Sequence, residues 1–207
     1  MCNVQEDAEL LESWRAGNQR AGEVLLSRYF DSLYRFFASK VDGAADDLIQ
    51  RTLLTCVEKA DTVRNPAGFR GYLFTVARHE LYAHLRRLKR TRDQGSDLSV
   101  STVTDGGDSA GTLMVERDDQ RLLLKCLRQL SMDFQIVLGL FYWEGLSTRQ
   151  LASVLEIPSG TVKSRLRRAR EDLAAQMRQL ADSPELLRST VDNLDAWVAS
   201  LKPPSAG

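Results

Sequence analysis

The sequence predicts an all-α protein in which two helical domains are joined by a flexible linker and followed by a C-terminal amphipathic helix. Apolar residues recur at helical spacing on both sides of the linker, and no clean run with a period of two appears. From about residue 91 to residue 112 the chain is rich in Gly, Ser, Thr and Asp and almost lacks large apolar side chains, as flexible linkers do. We therefore expect the first domain at residues 1–90, the linker at 91–115, the second domain at 116–178 and the extension at 179–207.

The first domain contains helical periodicity in residues 23–41, 46–60 and 68–90. The apolar positions of 46–60 are Ile49, Leu53, Cys56, Val57 and Ala60. In 68–90, the longest predicted helix, the expected buried stripe is Leu73, Ala77, Leu81, Leu85 and Leu88. The opposite face of that helix carries Tyr72, Thr75, His79, Tyr82, Arg86 and Arg90. Aromatic rings alternating with cations suit a nucleic-acid strand with unstacked bases, although Tyr72 and Tyr82 are equally expected to pack as half-buried core.

A helix-turn-helix is predicted between about residues 147 and 172. Gly145 is placed to end one helix, and Ser147 with Gln150 forms a capping box that begins the next. The short helix is expected to bury Leu151, Ala152 and Leu155. Pro158 interrupts it, and Ser159 can cap the helix that follows.

The second helix of this motif has one apolar and one polar face. Its expected buried stripe is Val162, Leu166, Ala169 and Leu173, and its polar face carries Thr161, Lys163, Ser164, Arg167 and Arg168. A rod anchored by one face, with hydroxyls and cations on the other, is what a major-groove recognition helix requires. The alternative is an ordinary amphipathic hairpin with a basic exterior. Glu156 occupies the turn position where glycine is common, so the turn must form without a residue suited to positive φ or tolerate some strain.

Charge and composition narrow the class of protein. The 28 basic and 28 acidic residues cancel, but basic residues concentrate in 78–92 and 163–170. Such a chain can present two positive surfaces, although on charge alone two solvated helix faces are an equally good interpretation. Cys2, Cys56 and Cys126 are too few and too far apart for a disulfide framework or a paired zinc motif, which predicts a reducing cytoplasm. We expect neither a signal peptide nor a membrane span. The only histidines lie in the basic helix without a nucleophile or metal set, so we expect no enzyme, cofactor or small-molecule substrate.

Several motifs resemble those of the extracytoplasmic-function (ECF) sigma factors of RNA polymerase. Residues 146–152 (LSTRQLA) and 157–170 (IPSGTVKSRLRRAR) are similar to region four of that family. Residues 46–50 (DDLIQ) and 69–78 (FRGYLFTVAR), with Leu85-Arg86-Arg87, are similar to region two. The resemblance extends from about residue 9 to residue 178, in the family's order and with a linker where the family has one.

The resemblance implies a protein that binds core RNA polymerase, directs it to a promoter and helps to melt the DNA. It assigns the −35 element to Arg149, Thr161, Lys163, Ser164, Arg167 and Arg168. It assigns the −10 element to Tyr72, His79, Tyr82, Arg86, Arg87 and Arg90. The residues that it implies for contact with the clamp helices of the polymerase's largest subunit are Asp46, Asp47, Gln50 and Arg51. The linker would thread through the polymerase toward the RNA exit path.

Three positions depart from the family pattern. His79 stands where Asn is common, Ala83 where an Asp often lies, and Arg51 where an Asp or Glu often follows the glutamine. These departures bear on the −10 preference and on the polymerase contact rather than on the fold. A polymerase-independent helix-turn-helix regulator is the rival interpretation, and a sigma-like adaptor without promoter activity is a second.

The C-terminal extension is predicted to form one amphipathic helix. Ser183-Pro184-Glu185 is a good helix start, and an apolar stripe follows at Leu187, Val191, Leu194, Val198 and Leu201. This stripe either enlarges the core of the second domain or regulates the protein, by docking between the domains or by receiving a partner. We expect activity to be restrained by an anti-sigma factor or by this extension.

Overall fold

The structure, a computed structural model, describes residues 4–63, 68–93 and 118–180. These residues form α-helices and one 3-10 turn, and they contain no strand, which confirms the predicted all-α class. The elements in order are α1 (Val4–Arg15), α2 (Gln19–Ser27), α3 (Phe30–Ala38), α4 (Ala45–Glu58), the 3-10 turn (Ala60–Thr62), α5 (Phe69–Asp93), α6 (Asp118–Gln129), α7 (Met132–Tyr142), α8 (Thr148–Leu155) and α9 (Ser159–Leu180). No helix in these ranges is long and apolar enough to cross a membrane.

The chain divides into two compact units. The first contains α1, α2, most of α3, α4 and α5, and the second contains residues 38–42 together with α6 to α9. Residues 91–93, predicted to begin the linker, are the last turn of α5, so the helix continues beyond the predicted boundary. The rest of the predicted linker and residues 181–207, with the predicted amphipathic helix, lie outside the described residues.

The core of the first unit is built from aromatic and aliphatic side chains of all five helices. Its largest fully buried members include Leu11, Tyr29, Phe37, Phe69 and Phe74. The periodic stretch 23–41 is not one helix, because α2 ends at Ser27 and α3 begins at Phe30. Tyr29 lies in the break with its ring buried, and its hydroxyl donates to the Asp7 carboxylate of α1.

Two predicted stripes of the first unit are corrected by the structure. In α4, Val57 is 49% exposed, whereas Leu48 and Thr52 are fully buried beside Ile49 and Cys56. Thr52 can be buried because its hydroxyl donates to the Leu48 carbonyl at 2.7 Å. In α5 the interior side also includes Phe69, Phe74 and Val76, while the predicted members Leu85 and Leu88 are only half-buried.

The second unit packs α6, α7 and α8 against α9. Helix α7 is its centre, with Ile136, Val137 and Leu140 buried. Helix α8 buries Leu151, Val154 and Leu155, whereas Ala152, predicted to be interior, is half-buried. The predicted apolar stripe of α9 is confirmed, because Val162, Leu166, Ala169 and Leu173 are all 3% exposed or less.

Candidate nucleic-acid interface

The start of α8 is fixed by the predicted capping box. The Ser147 hydroxyl accepts the Gln150 amide at 3.3 Å, and the Gln150 side-chain oxygen accepts the Ser147 amide at 2.9 Å. Gly145 precedes it with φ of +61°, a conformation in which residues with a Cβ are uncommon. The chain therefore ends α7 and begins α8 within a few residues, with both free amides at the junction satisfied.

The turn between α8 and α9 is closed by Glu156 in the left-handed conformation, with φ of +57° and ψ of +41°. Its amide donates back to the last carbonyls of α8, and the Ile157 amide donates to the Ala152 carbonyl at 3.1 Å. This is the helix-ending geometry in which glycine is normally preferred. Of the two outcomes expected from the sequence, the structure therefore shows the second, because the turn places Glu156 itself at positive φ and tolerates the strain.

Helix α9 presents the predicted polar face to the exterior. Its exposed members are Thr161, Lys163, Ser164, Arg167 and Arg168, and Arg149 of α8 is exposed as well. The Ser164 hydroxyl donates to the Thr161 carbonyl at 3.0 Å. The first turn of α7 and this face of α9 form an open groove. Its lining residues are Ser131, Asp133, Phe134, Thr161, Ser164, Arg165 and Arg168.

The cations of α9 are not equivalent, which the sequence did not reveal. Arg165 pairs with Asp133 of α7 at 3.2 Å, and Arg167 pairs with Glu171 at 2.6 Å. Arg170 donates to the Tyr142 hydroxyl at 2.6 Å and lies 5.4–5.5 Å from the ring centroids of Phe141 and Tyr142.

Three cations of α9 remain. Within the described residues, Lys163, Arg168 and Arg178 have no ion-pair partner. Of these, Lys163 and Arg168 belong to the predicted polar face, whereas Arg178 lies in the last turn. Lys163 and Arg168 are therefore the cations of that face that are most available to a nucleic acid.

Helix α5 carries its predicted cations on the exterior. Arg86, Arg87 and Arg90 are exposed, and the Arg87 Nε makes only a long contact of 3.4 Å with the Ala83 carbonyl. Arg90 and Arg92 lie in the last turn, where cations interact favourably with the helix dipole. The C-terminal half of α5 is thus a cationic rod.

The two tyrosines of α5 are half-buried. The Tyr72 hydroxyl is enclosed in the interior near Cys56 and Thr62, and burial raises the pKa of Tyr72. Burial also raises the pKa of the Cys56 thiol to about 12, so this cysteine is an apolar core residue rather than a reactive thiolate. For Tyr72 this position favours the packing interpretation of the ring over direct contact with bases.

The histidines of α5 differ in their surroundings. His79 is exposed and its Nε2 lies 3.0 Å from the Arg78 guanidinium. His84 is half-buried on the side of α5 that faces α4, and burial, together with the charges of Arg87 and Arg51, lowers its pKa. A lowered pKa keeps His84 neutral at neutral pH, so it adds no positive charge to the contact with α4.

Helix α4 places the predicted polymerase-binding residues together on one side. Asp46, Asp47 and Gln50 are exposed, and Arg51 holds Asp47 through two contacts of 3.0 and 3.2 Å. The sequence analysis missed the apolar continuation of this face, where Leu54 is 58% and Val57 49% exposed. The signal was available, because Leu54 and Val57 lie seven and ten residues after Asp47, which is the spacing of one helical face.

Among the described residues, no group of three or more His, Cys, Asp or Glu side chains is arranged to hold a metal ion. The polar groups that the structure brings together are cations, hydroxyls and exposed acids on helix surfaces. Such groups bind macromolecular surfaces by charge and hydrogen bonding.

Comparison with known proteins identifies both units. Residues 25–91 match the family described as Sigma-70 region 2, and residues 120–173 match the family described as Sigma-70, region 4. The chain is 25% identical over 189 residues to the RNA polymerase sigma-H factor of Pseudomonas aeruginosa, covering 87% of this chain and 98% of that protein. It is 25% identical over 183 residues to the ECF RNA polymerase sigma-E factor of Escherichia coli K12, covering 84% and 95% respectively.

Two solved structures share the fold of this chain. The sigma factor RpoE of Bartonella quintana, solved with the anti-sigma factor NepR, matches with a TM-score of 0.59 and 26% identity, over 76% of this chain and 95% of that one. CnrH, solved with the cytosolic domain of CnrY, shares the fold with a TM-score of 0.58 and 23% identity, over 85% and 99%. The two matched sigma-70 regions lie in the expected order and together cover more than half of the sequence. The chain therefore belongs to the sigma-70 family, as a sigma factor of the extracytoplasmic-function type that serves RNA polymerase in transcription initiation.

Proposed function

We propose that three exposed helix faces divide the work of initiation among them. The exposed face of α9, with Arg149, binds the −35 duplex, and the exposed face of α5 binds the −10 strand. The exposed face of α4 binds the largest subunit of core polymerase. The two units act as separate promoter readers, and α5 extends three residues into the predicted linker, to Asp93.

The observation that carries this proposal is the face of α9. Lys163 and Arg168 are exposed beside the Thr161 and Ser164 hydroxyls, while the opposite side of the helix is fixed in the core. Arginine can donate two hydrogen bonds to guanine in the major groove, and hydroxyls bind phosphates or base edges. Arg167 shares this face, but its pair with Glu171 must be exchanged before Arg167 can bind DNA.

On α5 the proposal rests on the exposed arginines and on the ring of Tyr82 rather than that of Tyr72. Arg86, Arg87 and Arg90 bind phosphates along the strand, and His79 and Tyr82 lie nearer the start of the same helix. Half-buried Tyr82 stacks against an unstacked base, a contact that tolerates sequence variation. Tyr72 supports this surface from the interior, since its hydroxyl is enclosed.

On α4 the proposal rests on a mixed polar and apolar surface. Charge and hydrogen bonds come from Asp46, Asp47 and Gln50. The apolar part of the surface is the solvent-exposed area of Leu54 and Val57. Protein interfaces typically combine an apolar centre with a polar rim. Arg51 keeps Asp47 oriented by an exposed pair, which is worth at most about 1 kcal/mol and can be exchanged on binding.

Restraint by a partner completes the proposal. RpoE of Bartonella quintana was solved with an anti-sigma factor, NepR. By analogy, we assign this protein an anti-sigma partner. From the sequence we also propose a cytoplasmic location and no catalytic activity of its own.

The test is run-off transcription with purified bacterial core polymerase on a library of promoter fragments, with and without the protein. Discrete starts that require the protein and share an upstream motif are expected. A polymerase-independent regulator would instead bind duplex DNA and produce no start.

The α4 assignment has its own matched pair of variants. Leu54→Ser removes exposed apolar area from the α4 face, whereas Val24→Ser removes an aliphatic side chain that is 41% exposed on α2. We expect Leu54→Ser to weaken binding of fluorescent protein to core polymerase by about tenfold, as a central interface residue does, and Val24→Ser to leave it unchanged. Equal affinity of both variants would contradict the assignment.

A further inference from the structure

Helix α1 reaches across the first unit with one arginine. Arg15, the last residue of α1, donates from Nε and Nη2 to the Ala60 carbonyl at 3.0 and 2.8 Å. The same Nη2 also donates to the Val63 carbonyl. One guanidinium therefore holds two backbone carbonyls that lie 45 and 48 residues further along the chain.

These carbonyls are ones that the local structure leaves poorly satisfied. They belong to the 3-10 turn that follows α4 and to Val63, where the chain becomes extended. Besides Arg15, the Val63 amide at 3.4 Å is the only donor to the Ala60 carbonyl among the described residues. Carbonyls at the end of a helix carry partial negative charge and lack partners within the helix, so a cation with several donors is well suited to them.

Helix α1 is anchored firmly enough to act as a support. Trp14 packs so closely on α2 that a Cβ on Gly22 would lie 2.6 Å from its indole ring. At the other end of α1, the Asp7 carboxylate is buried and accepts from the Tyr29 hydroxyl, and Arg28 pairs with Glu6 and Asp7 at 3.1 and 3.3 Å. The match to region 2 begins at residue 25, so α1 lies outside it.

The turn that Arg15 holds connects the proposed polymerase-binding helix to the proposed −10 helix. Ala60 and Val63 are buried, and the Thr62 hydroxyl, which donates to the Lys59 carbonyl at 2.7 Å, lies near the enclosed Tyr72 hydroxyl of α5. The 3-10 turn, which Arg15 of α1 binds, thus packs against Tyr72 in the first turn of α5.

We infer that Arg15 is a positioning residue for promoter melting, which fixes the turn between α4 and α5 and so the presentation of the α5 face. The inference rests on the proposed roles of α4 and α5. Because Arg15 touches neither of those exposed faces, its loss is expected to reduce the yield of melted promoter and to spare binding of core polymerase.

The experiment compares full-length wild type, Arg15→Ala, Arg15→Lys and Arg20→Ala, each assembled with core polymerase. Arg20 is the matched control, because it is exposed on α2 and has no ion-pair partner among the described residues. Two quantities are measured for each variant, the affinity for core polymerase and the melted fraction of a promoter at saturating holoenzyme, detected by permanganate reactivity of unpaired thymines.

We expect Arg15→Ala to lower the melted fraction by about tenfold, the effect of losing charge-assisted hydrogen bonds, while core affinity stays within about twofold of wild type. Arg15→Lys should lie between, because an ammonium keeps the charge but not the planar fork that spans both carbonyls. Arg20→Ala should match wild type. Amide hydrogen exchange of residues 59–63 should be faster in both Arg15 variants, a readout that is independent of transcription.

Two results would overturn the inference. One is a wild-type melted fraction in both Arg15 variants, and the other is a loss of core affinity in step with the loss of melting, which would make Arg15 a general stabiliser of the unit. Arg15→Lys decides the matter if Arg15→Ala loses its helical circular dichroism. Failure of the proposed function is distinguishable, because wild type and Arg20→Ala would then also fail to melt the promoter.

Discussion

The two basic helices, α5 and α9, differ in how many of their cations are held by other side chains. On α9, Arg165, Arg167 and Arg170 are held by Asp133, Glu171 and Tyr142. On α5, Arg86 and Arg90 are exposed, and neither has an ion-pair partner within the described residues. Both helices have similar sequence signatures, so counting basic residues cannot separate a cation that orients a helix from one that is available to a ligand.

The difference indicates two kinds of DNA contact. A helix fixed by its own side chains presents a few groups, here Lys163 and Arg168, in a defined orientation, as recognition of particular bases requires. A helix with a row of unpaired cations attracts phosphates of any sequence. We therefore expect α9 to supply discrimination and α5 to supply salt-dependent affinity.

The sharpest test of this comparison is Arg168→Ala. Its loss should cost about 1–3 kcal/mol of binding free energy on the specific −35 duplex and much less on an unrelated duplex, because a bidentate base contact is removed. Fluorescence anisotropy titrations on both duplexes at one salt concentration measure the difference. Arg167→Ala is the comparison variant, because Arg167 occupies the same face but is paired with Glu171, and its loss should cost less on the specific duplex than the loss of Arg168. An equal loss on both duplexes would show that Arg168 contacts phosphate only.

A second variant concerns the orienting cations of α9. Arg170→Ala removes a hydrogen bond to Tyr142 and the contacts with two aromatic rings, so the free energy of unfolding of the second unit should fall by about 1–2 kcal/mol. Arg170→Lys should recover part of this, because it keeps the charge. Urea unfolding monitored by tryptophan fluorescence gives both values. If neither substitution changes stability, Arg170 does not orient α9.

On α5 the expected effect is smaller and independent of sequence. Replacing both Arg86 and Arg90 with Ala should lower affinity for a −10 single strand and for a scrambled strand alike. The slope of log affinity against log salt should fall by roughly 0.7 for each phosphate contact removed. Titrations at several salt concentrations measure it. A loss confined to the −10 sequence would break the comparison, because α5 would then read bases as α9 does.

Much of the second unit could be predicted from the sequence. The Ser147–Gln150 capping box, the Pro158 interruption and the α9 stripe are local features, governed by hydrogen bonds and periodicity within a few residues. The partners of Arg165 and Arg170 could not be predicted, since Asp133 and Tyr142 lie on α7 and become neighbours only when the helices pack.

The first unit was predicted less well for the same reason. The apolar periodicity of residues 23–41 predicted one helix, but the structure has two, separated at Tyr29. The Tyr29 side chain points inward to the Asp7 carboxylate of α1, a partner that local periodicity cannot indicate. Arg15 offered no local signal either, since its carbonyl partners lie 45 residues or more away. Leu54 and Val57 lie at helical spacing in the sequence, but their exposure to solvent could not be predicted, because spacing alone does not distinguish an exposed apolar residue from a buried one.

The smallest expected effect concerns the turn between α8 and α9. Glu156→Gly relieves a left-handed conformation that costs a residue with a Cβ about 1 kcal/mol, so the free energy of unfolding should rise by roughly 0.5–1 kcal/mol. Glu156→Ala is the control, because it removes the same side-chain atoms beyond Cβ but keeps the strain. It should give no gain. Thermal unfolding of both variants measures this, and equal stabilisation by Ala and Gly would place the cost in the glutamate side chain rather than in the backbone. Affinity for the −35 duplex should stay unchanged in Glu156→Gly, because Lys163 and Arg168 are oriented by the packing of α9 rather than by the turn.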